Sequence, residues 1–169
     1  MTSAAMNDTA VVRPAHARDT DAIVALVNGF AAARVMLPVS REAIALALHN
    51  FVVAVDERDR VIGCGALKEY SPSLAEVASV AVSEAAHGRG VGRSIVRAVE
   101  ALAAVRGIGE LFALTLTPQF FEALGYDVAD RACYPEKIRR DCLACARRFA
   151  CAEVCVRRPL AADALEVAA

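Results

Sequence analysis

Ile23, Leu26, Val27 and Phe30 fall at i, i+3, i+4 and i+7, the spacing of one apolar face on an amphipathic helix. Ahead of that helix, Val11-Val12-Arg13-Pro14 reads as a short strand. After it, Pro38 ends the helical region and Ser40 supplies the cap of a second, shorter helix reaching about His49. The pattern then changes. Residues 51–55 and 61–70 are β-branched and apolar and flank the charged turn Asp56-Glu57-Arg58-Asp59-Arg60, which predicts a hairpin. Residues 76–82 read as the next strand, which runs directly into His87-Gly88-Arg89-Gly90-Val91-Gly92. Beyond the glycines, Val91, Ile95, Val99 and Leu102 form a second apolar stripe, stopped by Gly107 and Gly109. Residues 111–116 predict a buried strand, and Thr117-Pro118 predicts a cap and first-turn proline for a helix through Leu124, closed by Gly125. A last strand is expected over residues 154–157.

This alternation predicts an α/β fold of the α+β kind, a mixed sheet flanked by helices. One domain is expected over residues 11–158, between a disordered N-terminal tail (1–10) and a loose alanine-rich C-terminal tail (159–169). A chain of 169 residues with 57% hydrophobic content can bury a substantial core as a single domain. Net charge of −1 with scattered basic residues gives no footprint for nucleic acid. No run approaches the roughly 18 apolar residues of a membrane span, and the N-terminal residues lack an apolar leader, so a cytoplasmic protein is expected. In that compartment the six cysteines read as reduced thiols before a disulfide framework.

The glycine loop carries the candidate chemistry. Gly88, Gly90 and Gly92 lack Cβ atoms, so the backbone can take unusual dihedrals and approach a ligand closely. A helix starting there leaves its first amides without intrahelical partners, and with the helix dipole they favour phosphate oxygens. Arg89 and Arg93 can add charge-assisted contacts. A glycine-rich turn that binds nothing is the plain alternative for these six residues alone, and the flanking strand and helix favour the cradle.

The order of elements, the loop pattern R/Q-x-x-G-x-G/A met by His87, Gly90 and Gly92, and the segment from Pro118 to Tyr126 resemble the GNAT acetyltransferase family. The resemblance covers about residues 11–158 and implies a single GNAT acyl-CoA N-acyltransferase domain. Within the family the chain is similar to the short, kinase-less amino-acid N-acetyltransferases of the N-acetylglutamate synthase type. Four segments carry this: Val35-Met36-Leu37-Pro38, Gly63-Cys64-Gly65-Ala66-Leu67, Pro118-Gln119-Phe120-Phe121-Glu122-Ala123-Leu124-Gly125-Tyr126, and the run from Pro135 to Cys145 with Cys151 and Glu153 beyond.

The resemblance implies acetyl transfer from acetyl-CoA, a co-substrate, to an amine, with no metal required. The expected acceptor is the α-amino group of glutamate, as in the first step of arginine biosynthesis. Coenzyme contacts are implied for Val80, Ala81, Val82, His87, Gly88, Arg89, Gly90, Val91, Gly92, Arg93, Ser94, Phe120 and Phe121. Backbone amides of Val80 to Val82 are the implied donors to the thioester oxygen, a role that requires a splay or bulge near the strand end. Glu76 stands where some members place a general base; a solvated strand-end carboxylate is its plain reading. Arg34, Arg41, Lys68 and Lys137 are the candidate holders of the acceptor's carboxylates.

Three departures are visible. His87 replaces the usual Arg or Gln, Phe121 stands where a Tyr often serves as general acid, and Val39 replaces a basic residue usual in the subgroup. Cys142, Cys145, Cys151 and Cys155 invite a zinc reading, a disulfide or plain thiols, with plain thiols favoured; Cys64 and Cys133 read as core fillers. The expected partner is a small-molecule amine, with a second copy of the chain as the candidate protein partner, no nucleic acid and no membrane. The competing readings are a GNAT enzyme for another small amine or a protein, and a module that senses acetyl-CoA or metal without turnover.

Overall fold

A computed structural model describes residues 10–160, so most of the two expected tails (1–9 and 161–169) lies outside the described residues. Seven strands form one mixed sheet in the order β1-β2-β3-β4-β5-β7-β6. They are β1 (Val11–Pro14), β2 (Phe51–Val55), β3 (Val61–Ser71), β4 (Leu74–Val82), β5 (Glu110–Thr115), β6 (Asp127–Val128) and β7 (Val154–Pro159). The principal helices are α1 (Thr20–Ala32), α2 (Arg41–Leu46), α3 (Val91–Val105), α4 (Pro118–Glu122) and α5 (Pro135–Lys137). The chain divides into two compact units, one holding the residues up to Ala66 and Ser79–Ala98, the other Leu67–Ala78 and the residues from Val99 onward.

In the first unit, β2 pairs antiparallel with β1 and with β3, as the hairpin reading requires. All five residues of β2 are buried, so this strand shows a continuous apolar run and no alternation. Its Phe51, Val53 and Val55 pack with Ile23 and Val27 of α1, Ile44 of α2, and Cys64 of β3. Each such side chain stabilises the unit by about 1.5–3 kcal/mol. The predicted cap is present, since Ser40 Oγ accepts from Ala43 N at 3.1 Å. Asn28 of α1 fixes the loop before α2 with two hydrogen bonds to the backbone of Val39, at 2.9 and 3.0 Å.

In the second unit, β5 is flanked by a parallel β4 and an antiparallel β7. Phe112 of β5 is fully buried and stacks on Tyr134 with centroids 4.3 Å apart, while Tyr70 of β3 lies against it at 5.5 Å. Arg158 of β7 donates to Glu100 of α3 at 3.2 Å and to the carbonyl of Leu124 at 2.7 Å, closing the end of α4.

The structure amends several expectations. Thr117 makes no side-chain cap; Thr115 Oγ1 accepts from Thr117 N at 3.0 Å instead, at the turn before Pro118. Cys133 is exposed, whereas Cys64 is buried and its thiol is pushed up to about 12 by that burial. Pro159, expected in the tail, ends β7 opposite Glu110, and Leu160 N donates to Gly109 O at 2.8 Å. The short β6, and α5 with the π-helical turn Ile138–Cys142 that continues it, were not expected. Among the described residues no helix is long and apolar enough to cross a membrane.

Candidate active site

In the first unit the chain leaves β4 through a short turn and enters the glycine loop. Gly88 and Gly90 have φ of +73° and +78°, the left-handed region that other residues enter only at a cost, and a Cβ at either would meet nothing within 4 Å. Backbone conformation, and not crowding, is what requires glycine here. Ser94 N donates to Gly90 O at 3.0 Å, the first i→i−4 bond of α3. The amides of Val91, Gly92 and Arg93 precede it and belong to the helix turn that has no carbonyl one turn back. Val91 is buried and anchors the helix start, while Arg89, Arg93 and Ser94 are exposed on the loop side. This is a fit for a pyrophosphate at the end of a 15-residue helix.

His87 has a partner within the chain. Its Nε2 lies 2.8 Å from Val82 O, which makes it the donor and ties the loop to the end of β4. The strand itself carries one irregular residue. Ser79 has φ +53° within β4, and its carbonyl accepts from the Cys64 thiol at 3.5 Å. The parallel register of β4 with β5 runs from Leu74 to Glu76, so Val80, Ala81 and Val82 follow both the end of that ladder and the irregular Ser79. The required irregularity in β4 is therefore present.

In the second unit Glu76 is buried, at 5% exposure, opposite Phe112 in the last pair of that ladder. The plain reading of a solvated carboxylate is thereby set aside. Its Oε2 accepts from Tyr70 Oη at 2.8 Å and from Lys137 Nζ at 2.9 Å. Asp141 completes the group: its Oδ2 accepts from Lys68 Nζ at 2.6 Å, from Lys137 Nζ at 3.0 Å, and from Tyr70 Oη. Tyr70 has one proton for two carboxylates, so it can serve only one at a time. Burial pushes the Tyr70 phenol up, and the Glu76 and Asp141 carboxylates push it further. For Asp141, burial acts upward, but hydrogen bonds from Lys68, Tyr70 and Lys137 outweigh it and hold the carboxyl well below its usual range. Lys137 shows the converse, burial opposing and Glu76 with Asp141 prevailing, so its ammonium is held above the ordinary lysine value. The guanidinium of Arg140 lies 4.8 Å from the Tyr70 ring centroid, which further fixes the ring.

The other predicted residues are placed as follows. Lys68 and Lys137 come together on Asp141. Arg41 is exposed and paired with Asp21 of α1 at 2.7 Å, and Arg34 is exposed with φ +61° just past the end of α1. Phe120 is half-buried and meets Phe121 edge-on at 5.1 Å, whereas Phe121 is buried against Tyr126 at 5.2 Å. No three His, Cys, Asp or Glu side chains among the described residues are grouped to hold a metal. Cys151 lies 3.3 and 3.4 Å from the Arg131 guanidinium, and Cys145 accepts from Arg147 N.

Sequence reasoning missed Tyr70 and Asp141. The signals were available: Lys68 and Tyr70 are two apart on one strand face, and Lys137 and Asp141 are four apart on one helical face.

A model of the acetyltransferase (GNAT) domain matches residues 47–128. An N-acetyltransferase of Chlorobaculum tepidum, itself uncharacterised, is 39% identical over 149 residues, covering 88% of this chain and 96% of that protein. The chain belongs to the GNAT acetyltransferase family. An amino-acid acetyltransferase of Mycobacterium tuberculosis is 34% identical to this GNAT chain over 118 residues, 69% of this chain and 67% of the relative. The N-acetylglutamate synthase of Neisseria gonorrhoeae, solved with coenzyme A and N-acetylglutamate, superposes with a TM-score of 0.81 at 28% identity. That match covers 90% of this GNAT chain and 35% of the synthase.

Proposed function

We propose that the chain moves the acetyl group of acetyl-CoA to the α-amino group of an amino acid, with glutamate the leading acceptor. The observation that carries this reading is the buried Glu76, its Oε2 held by Tyr70 and Lys137, in a chain whose relatives include amino-acid acetyltransferases. An amino acid's amine is protonated at neutral pH and must lose a proton to attack. Glu76 is the base that takes it, directly or through a water. The amine nitrogen then bonds to the thioester carbon, the carbon–sulfur bond breaks, the thiolate departs with the electron pair, and the nitrogen's second proton passes to that thiolate or to water as the amide forms. A thiolate with a pKa near about 8 to 9 leaves without a protein acid, so Phe121 is no obstacle. Backbone amides at Val80 to Val82 are the donors for the oxygen that gains charge, a role supported by the irregular Ser79. The Gly88–Gly92 backbone with Arg89 holds the pyrophosphate, and His87 braces the loop through Val82.

Lys68 and Lys137 are the cations available to an acidic acceptor in the second unit. A second reading, an acceptor amine with no second carboxylate, is favoured by one observation: both lysines already carry Asp141. Free-thiol release from acetyl-CoA, followed with a panel of glutamate, glutamine, aspartate, methionine and lysine, tests both. Glutamate-dependent release supports the first reading; release with neutral acceptors alone supports the second. Binding of acetyl-CoA without release under any acceptor removes both and leaves a sensing module.

A further inference from the structure

Asp141 has no place in the acetyl-transfer steps above, yet it gathers two charged donors, Lys68 and Lys137. One of its oxygens takes hydrogen bonds from two ammonium groups and a phenol. Counted together, Lys68 and Lys137 bring two positive charges, and Glu76 and Asp141 bring two negative ones. These four charges cancel, and the Arg140 guanidinium against the Tyr70 ring adds one positive charge, so Asp141 and Glu76 reduce the pull on an anionic acceptor to a single net charge. The lysines differ in what they have left. Lys137 is 13% exposed and divides its ammonium between Glu76 and Asp141. Lys68 is 38% exposed and bonded to Asp141, which leaves N–H donors that a small molecule can reach.

We propose that Asp141 is a resident counter-carboxylate that sets acceptor specificity: it occupies the Lys68–Lys137 ammonium pair, so a second carboxylate on the acceptor binds only by competing with it. The proposal rests on the amino-acid reading of the site. Its geometry is that of a carboxylate already seated on two lysines, in the arrangement an acidic side chain of a substrate would adopt. Asp141 remains ionised throughout the neutral range because Lys68, Tyr70 and Lys137 hold its proton off against the effect of burial. It is therefore a standing competitor, and removing its charge frees the pair.

The test is a binding measurement on the full chain, independent of turnover. Glutarate, a dicarboxylate without an amine, and butyrate, with a single carboxylate, are titrated calorimetrically into the wild type, Asp141→Asn, Asp141→Ser and Asp141→Glu. Acetyl-CoA affinity and melting temperature report whether each variant is folded. The expected result is glutarate binding at least about tenfold tighter in the Asn and Ser variants, the scale of one charge-assisted contact in a partly solvated site. Butyrate should move less than about threefold, and Asp141→Glu, which keeps the charge, should leave glutarate near the wild-type value. Damage to the structure does not raise an affinity, so a gain cannot come from a purely structural role. Glutarate affinity unchanged or weakened in folded Asn and Ser variants overturns the proposal. Failure of both to fold overturns it as well, by making Asp141 a structural residue. If glutarate tightens as expected while no amino acid is ever acetylated, the acceptor assignment falls and the counter-carboxylate stands; turnover with unmoved glutarate binding gives the reverse.

Discussion

Gly90→Val separates a loop that binds an anion from one that merely turns. At φ +78° the native backbone is left-handed, and a Cβ added there meets no atom within 4 Å. Crowding therefore adds nothing, and the cost in the free protein is the backbone's alone, about 1–2 kcal/mol for an L-residue and toward the upper end for a β-branched one. For a domain of this size that is a fall in melting temperature of roughly 2–8 °C. The effect on acetyl-CoA should be larger. The valine relieves its strain by turning the loop out of the left-handed region, which re-aims the amides before Ser94. Two lost hydrogen bonds to a charged phosphate, at about 1.5–3 kcal/mol each, weaken binding by ~3–6 kcal/mol, at least about 100-fold in Kd. Calorimetry with acetyl-CoA and a thermal melt on the same samples measure the two effects. Gly29→Ala is the control, since Gly29 lies in α1 at ordinary φ with open space around it, and alanine there should leave acetyl-CoA affinity unchanged. A folded Gly90→Val protein that binds acetyl-CoA within about threefold of the wild type refutes the assignment of the loop.

Glu76→Gln keeps the shape of the buried side chain and removes the base, so kcat should fall by about 10²–10⁴ while acetyl-CoA affinity stays constant; stopped-flow thiol release and calorimetry check this pair of outcomes. Arg158→Met removes the guanidinium from the buried Glu100 and from the carbonyl that ends α4, for a loss of about 2 kcal/mol and roughly 4–8 °C by thermal melting. The Asp141 carboxyl lies below its usual range in the folded protein, so its stabilisation is present above about pH 4–5 and is lost as pH falls toward the folded value. The melting-temperature gap between wild type and Asp141→Asn should therefore hold at neutral pH and narrow in acid. A maleimide at pH 8 should label the exposed Cys133 in the native protein and leave Cys64 unmodified until denaturant is added, because burial holds that thiol at about 12; mass spectrometry of the labelled peptides reads this directly.

Periodicity made the framework legible, since the i, i+3, i+4, i+7 stripe of α1 and the apolar run of β2 are consequences of burial that the residues themselves carry. The glycine loop was legible for a related reason: the left-handed conformations at Gly88 and Gly90 leave a mark in residue type. Ser79 left none, because its left-handed backbone is imposed on an ordinary side chain within β4. Three of the five residues of the Glu76 group were named in advance. Glu76 followed from the family resemblance, and Lys68 and Lys137 from the need for cations to hold an acidic acceptor, but their partners Tyr70 and Asp141 depend on α5 and the turn after it meeting β3 and β4, a contact between segments 61 to 73 residues apart. His87 shows the same limit at short range. Its place in the loop pattern says nothing of the carbonyl five residues back that its side chain reaches.

The most direct test of acetyl transfer to an amino acid is detection of the product itself. Wild type and Glu76→Gln are incubated with acetyl-CoA and glutamate, and the acceptor is followed by mass spectrometry and proton NMR. The expected product is N-acetylglutamate, acetylated at the α-nitrogen and formed in step with free thiol, with the Gln variant at least about 100-fold slower. Glutamate recovered unchanged beside a different amine that is acetylated, or equal rates for the two proteins, would contradict it.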